Sequence, residues 1–271
     1  MRAHAAPLAV SGFGTDGQLC RRLEQQQLTA GRGGGAYSES WLQALIDQHP
    51  AVLPIEEIEP GLADAISICR ELPTPSGFAD NLLISPNGGI VIVEAKLWRN
   101  PQARREVVGQ ILDYAKDLAR WSYEDLERAI GIARGERGLR LFDLLRAADP
   151  AVDDEAAFID AVSRNLRLGR FLCLIVGDGI QESAEQLTDF LQRHVGLHFT
   201  LSLVELSLWR ADDSGTVLVL PRVIARTVQI ERAVVRLESG VTAVAALAPD
   251  NSPTRGVSGP TTITEQQFYS S

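Results

Sequence analysis

The residues of this chain best suited to chemistry lie between positions 77 and 114, in GFADNLLISPNGGIVIVEAKLWRNPQARREVVGQILDY. Asp80 sits on one short apolar run, Glu94 and Lys96 on the next, and Gln110 and Tyr114 beyond them. Phosphodiester hydrolysis needs an activated water, neutralisation of phosphate charge and help for the leaving oxygen. A hard cation held by carboxylates supplies all three. Two acids here can bind Mg²⁺, with Mn²⁺ as a substitute. A lysine beside them can orient the attacking water, help to deprotonate it and stabilise developing charge. Gln110 and Tyr114 are four apart, one helical turn, and can hydrogen-bond to a substrate phosphate or to the lysine.

These residues need elements that bring them together. FADNLLIS and IVIVEAKLW, joined by the turn signal PNGG, predict two antiparallel strands of a hairpin. Alternation then places Ile92, Glu94 and Lys96 on one face, and Val91, Val93 and Ala95 on the other. An acid followed by ExK is a short pattern, and a cross-strand ion pair at a sheet edge explains it equally well. The apolar runs NLLI and IVIV instead predict central strands with the charges at their ends, where unpaired charge is costly. Asn100 and Pro101 predict an N-cap and first helical position, with the helix running to about Trp121. Val107, Ile111, Ala115 and Leu118 outline its buried stripe, and Gln110 and Tyr114 flank that stripe.

Upstream, Ser38 predicts a helix cap, and Trp41, Leu42, Leu45 and Ile46 recur at helical spacing before His49-Pro50 ends the run. Glu39 falls in the first turn, where the helix dipole favours a carboxylate. AISICREL reads as a further strand, with Pro73, Pro75 and Gly77 turning the chain. Downstream, helices are expected over 123–133, 139–147, 155–165 and 183–194. Strands are expected in RFLCLIVGDG, HFTLSLVELSLWR and TVLVLPRVIART. This order is α/β or α+β with a mixed central sheet flanked by helices.

The rest of the sequence bounds the reading. The chain has 271 residues and a formal net charge of −9, which counts against tight non-specific coating of DNA but not against a local basic strip. No apolar run is long enough for a membrane span, and MRAHAAPLAVSGFG lacks the features of a signal peptide. Cys20, Cys69 and Cys173 are scattered without zinc-ligand spacing, as expected for reduced thiols in a cytoplasm. Residues 1–37, ending in the glycine-rich GRGGGAY, read as an N-terminal extension, and 38–245 as the main domain. The composition of 246–261 reads as a linker. TTITEQQFYSS then gives residues 262–271 the look of a helix start or a tail, and hence of a partner domain beginning there. His194 and His198 have a helix-breaking Gly196 between them, which argues against a shared metal. Asp178 reads as a turn or cap residue, and Glu205 as the partner of an arginine or an edge marker.

Asp80, Glu94-Ala95-Lys96 and the Gln110…Tyr114 pair resemble the PD-(D/E)xK nuclease superfamily and its QxxxY-containing branch. SESWLQALIDQHPAVLP resembles the first helix of some members. Ala79 stands where the family usually has proline. The resemblance implies a restriction-endonuclease-like αβββαβ core, with extra helices inserted after the QxxxY helix. It implies a cytoplasmic Mg²⁺-dependent DNA endonuclease or exonuclease leaving 5′-phosphate ends, in genome defence, repair or mobile-element processing. Asp80 and Glu94 would hold the metal with the Ala95 carbonyl, and Glu39 would be a further ligand or supporting acid. Lys96 would position the water, and Gln110 and Tyr114 would support it. Arg99, Arg104 and Arg105 would contact substrate phosphates. Cutting both strands of a duplex often uses a symmetric pair of sites, so a homodimer is compatible with this reading. The alternative is an inactive nucleic-acid-binding or protein-interaction module on the same fold.

Overall fold

Residues Ile90–Leu97 form a strand (β6) whose side chains from Ile90 to Ala95 are all buried. A strand this apolar on both faces needs cover on both sides, and the fold supplies it. The computed structural model describes residues 7–11, 19–26, 37–97, 101–178, 199–210 and 216–226. Within these, short strands β1 (Leu8–Ser11), β2 (Leu19–Arg22) and β3 (Glu24–Gln26) precede helix α1 (Glu39–Gln48). A short helix, α2 (Ile55–Ile58), leads to β4 (Ile66–Thr74) and β5 (Gly77–Ile84), and then to β6. Helices α3 (Pro101–Leu118), α4 (Tyr123–Arg134), α5 (Leu141–Ala148) and α6 (Glu155–Leu168) follow. Strands β7 (Phe171–Asp178), β8 (Thr200–Arg210) and β9 (Val217–Arg226) complete the described elements.

The main sheet is seven-stranded and mixed. β4, β5 and β6 are successively antiparallel, β6, β7 and β8 are parallel, and β9 runs antiparallel to β8. β3 pairs with the end of β8, so part of the N-terminal extension is built into the sheet. β1 and β2 pair separately. Ile90 and Ile92 of β6 pack with Cys173 and Ile175 of β7 beneath Val107, Ile111 and Leu118 of α3, in a cluster that also takes in α4, α5 and α6. Val91, Val93 and Ala95 pack on the opposite face with Leu42 and Ile46 of α1. Each large apolar side chain buried this way contributes about 1.5–3 kcal/mol. The chain is therefore mixed α/β, with a central sheet flanked by helices. No described helix is long and apolar enough to cross a membrane.

Local chemistry sets the element ends. The Ser38 hydroxyl accepts from the Trp41 N–H at 3.1 Å and starts α1. Ser122 and Asp125 form a reciprocal capping box for α4, and Gly135 and Gly169 close α4 and α6 in the left-handed conformation. α3 ends at Leu118, short of the expected Trp121, because the chain tightens there: Arg120 N–H reaches the Asp117 carbonyl and Trp121 N–H the Leu118 carbonyl, at 3.0 Å each. The expected Asn100 cap, the 183–194 helix and the 246–271 linker and tail lie outside the described residues. Cys69 and Cys173 are free and buried, and burial pushes the Cys69 thiol up to about 12.

One glycine matters to the placement of Lys96. Gly177 of β7 pairs with Lys96, and a β-carbon at Gly177 would lie 2.0 Å from the Lys96 carbonyl oxygen. Gly177→Ala is expected to force β6 and β7 apart at that point and cost about 1–3 kcal/mol, read as a lower urea midpoint with an unchanged m-value.

Candidate active site

The β5–β6 ladder runs from Ile84↔Ile90 to Asn81↔Val93. At the next residues side chains join the exchange between the strands. The Asp80 Oδ2 accepts from the Ala95 N–H at 2.7 Å, and the Asp80 backbone in turn favours the charged form of the Glu94 carboxylate, though less than burial opposes it. Asp80 is thus held by the backbone of β6. The alternation of β5 also breaks here. Ala79, Leu82 and Ile84 all pack in the cluster beneath α3, although strict alternation would put Ala79 opposite the other two. On the neighbouring strand, Glu71 adopts φ +51°, a left-handed conformation uncommon outside glycine.

Helix α1 braces this fork from one side. Glu39, Gln43 and Asp47 recur every four residues and make a polar stripe over the sheet. Gln43 Nε2 donates to Asp80 Oδ1 at 2.7 Å, and Gln43 Oε1 accepts from Arg70 Nη2 at 3.0 Å. Asn81, fully buried, donates to the Gln43 carbonyl at 3.0 Å. The Asp47 carboxylate accepts from the Ser67 hydroxyl at 2.6 Å. Gln43, Arg70 and Asn81 are site residues that sequence reasoning missed. Gln43 alone had a local signal, one turn after Glu39 on the same face.

Helix α3 closes the site from the other side. A β-carbon on Gly77, at φ +140°, would meet the Tyr114 hydroxyl at 3.3 Å, so the phenol lies against the start of β5. One turn further, Asp117 accepts from the Ser76 N–H at 2.9 Å and ties down the β4–β5 turn. One turn earlier, Gln110 has its Oε1 buried without a hydrogen-bond partner.

The electrostatics are those of two acids confined together. Asp80 is raised to about 6, mainly by burial and further by Glu39 and Glu71; the Ala95 N–H and Lys96 offset this. Glu94, only 3% exposed, is raised to about 8 by burial and then by Asp80, with Lys96 opposing. Its Oε2 is buried and has no hydrogen-bond partner. Burial and the charges of Glu94 and Asp80 push the Tyr114 phenol up to about 12, so it stays a hydrogen-bond donor at neutral pH.

The structure therefore brings Lys96, Glu39 and Tyr114 each within electrostatic reach of Asp80 and Glu94. Gln110 shares α3 with Tyr114 and is placed only by its position one turn from it. Arg99 lies outside the described residues, as do His194 and His198, and so do the side chains of Arg104 and Arg105 in α3. Glu205 is bound to Arg222 of β9 at 2.7 Å, the structural pairing expected for it. Asp178 ends β7, and its cap role falls outside the described residues. Among the described residues, no three His, Cys, Asp or Glu side chains form a metal-holding group. A cation here would rest on Asp80 and Glu94, with remaining oxygens from the backbone or water. That hard-oxygen set, with a buried carboxylate oxygen unmet, fits Mg²⁺ or Mn²⁺. The chain matches no family model, no curated protein and no solved structure.

The acid pair predicts how stability varies with pH. A carboxyl whose pKa is higher in the folded than in the unfolded chain favours folding while protonated. That contribution is fully present below the ordinary values of 3.8 and 4.5 and is lost as pH rises through about 6 and then 8. In EDTA, the Tm from calorimetry should fall between about pH 5 and 8. Glu94→Gln should remove most of that fall, and an unchanged slope would show that the pair is not confined in this way.

Proposed function

We propose that this chain is a divalent-metal-dependent DNA nuclease on a restriction-endonuclease-like core. The observation that carries the reading is the fork between β5 and β6, which holds two desolvated carboxylates beside a lysine two residues along. The element order supports it too. α1, β4, β5, β6, α3 and β7 follow one another as αβββαβ, with β4-β5-β6-β7 adjacent in the sheet and α4, α5 and α6 inserted after α3.

The residues take distinct roles. Asp80 and Glu94 would hold the cation, which when bound would neutralise phosphate charge and make water a better nucleophile. Lys96 holds the attacking water and screens negative charge as it builds on the phosphate. Gln43 and the Ala95 N–H fix the Asp80 carboxylate, so it enters the site in one orientation. Tyr114 stays protonated and offers a hydrogen bond, with Gln110 one turn away as a second polar group. Glu39 adds negative charge that favours a cation over a vacant acid pair.

Plasmid and linear DNA, single- and double-stranded, incubated with Mg²⁺ or Mn²⁺, should be cleaved. Lys96→Ala, Asp80→Asn and Glu94→Gln should each lower the rate at least about 100-fold. Retained near-ultraviolet circular dichroism would separate lost chemistry from lost folding. Cleavage that ignores these substitutions and EDTA would overturn the mechanism. DNA binding without cleavage would favour the inactive binding module.

A further inference from the structure

The sharpest unexplained feature beside the acid pair is Phe78. It is 63% exposed, while every other Phe, Tyr and Trp side chain whose surroundings are described is at least partly buried. It stands on β5 two residues before Asp80, about 6.6 Å along the strand at ~3.3 Å per residue. A single exposed apolar residue is ordinary by itself. What sets this one apart is how firmly its stem is held.

Phe78 pairs with Pro73 across the β4–β5 hairpin, and Gly77 pairs with Thr74. The Thr74 hydroxyl donates to the Gly77 carbonyl at 3.0 Å and accepts from the Ser76 N–H at 3.2 Å. The same N–H also reaches Asp117 of α3, and Tyr114 lies beneath Gly77. Pro73 and Pro75 fix two φ angles in the turn. The ring is thus presented on a rigid stem at the edge of the acid pair, so little ordering entropy is lost when something binds to it.

We infer that Phe78 is a stacking platform for an unpaired nucleobase next to the phosphate positioned at Asp80 and Glu94. This rests on the proposed nuclease reading and narrows its substrate. One ring is far too small for a stable protein interface, which needs about 800 Å² per partner, but it matches the face of one base. Stacking also answers an electrostatic difficulty. Glu39 and Glu71 add negative charge around Asp80 on a chain of net charge −9, so attraction that does not depend on charge adds to what a cation at the acid pair would supply in holding a polyanion. A base reaches such a ring only when unstacked from its strand. The preferred substrate is therefore single-stranded DNA or a frayed or flapped duplex end, and not a closed duplex interior.

The test uses the full chain carrying Lys96→Ala, which leaves binding to be read without cleavage. Short single-stranded oligodeoxynucleotides carry 2-aminopurine at successive positions. Binding should quench 2-aminopurine at one position. Adding Phe78→Ala should abolish that quench and weaken binding about 10-fold. Phe78→Trp should restore both, and affinity for blunt duplex should change less than about 2-fold in either variant. Equal quench and affinity with Phe78→Ala, or no single-strand binding at all, overturns the inference. The nuclease reading is scored separately, on the chain without Lys96→Ala. If that protein fails to cut while Phe78-dependent stacking persists, hydrolysis fails and the platform stands. If it cuts, and Phe78→Ala leaves the KM for single strands unchanged, the platform fails and hydrolysis stands.

Discussion

The structure turns on the hydrogen bond that the Ala95 N–H of β6 gives the Asp80 carboxylate of β5, beside the buried Glu94. In an ordinary antiparallel ladder the backbone groups of the two strands pair with one another. Here the Ala95 N–H goes to the Asp80 carboxylate instead, and the buried Glu94 keeps one carboxylate oxygen without a hydrogen-bond partner. Hydrogen bonds to charged groups contribute about 1.5–3 kcal/mol each. Against that stands the cost of burying two acids side by side, and that cost dominates, because both are raised well above the ordinary carboxyl range. The fork is locally well bonded yet electrostatically unsatisfied. An arrangement of that kind persists only if the surrounding fold holds it.

The sheet supplies that hold. β6 is central and covered on both faces, and its last residues stay paired with β7 beyond the end of the β5 ladder, which keeps them from swinging out to relieve the repulsion. α1 and α3 then act from opposite sides. α1 fixes Asp80 through Gln43 and carries Glu39. α3 fixes the β4–β5 turn through Asp117 and carries Tyr114 and Gln110. The packing clusters of the core and the chemistry of the fork are in this sense one structure.

Much of this was legible in the residues themselves. Period-two alternation in IVIVEAKL put Glu94 and Lys96 on one face, and the PNGG turn put Asp80 on the neighbouring strand; both hold in the structure. The four helices from α3 to α6 lie close to where they were expected. The bracing was not legible, because Arg70, Asn81 and Gln43 meet only through long-range contact, from three different elements. Nor was the break in alternation between Ala79 and Leu82, since neither β5 nor Glu71 offers a glycine or proline at that point to announce it. β1, β2 and β3 escaped notice because strands this short carry too few residues to show a period.

The same unsatisfied charge would, on the proposed reading, match an acidic chain to a polyanion. On the proposed reading, acids that repel a phosphate in the bare protein become the means of attracting it once a cation lies between them. Binding that cation requires the acids to be deprotonated, so it competes with protons up to the raised range near 8 where Glu94 still holds one. Burial makes the bare pair costly, and the same burial strengthens whatever field replaces it, because the low local dielectric acts on repulsion and attraction alike. A solvent-exposed pair would be more comfortable when empty and weaker when filled. The depth of Glu94 in the sheet, which local stability alone would argue against, therefore follows from what the site must do when occupied.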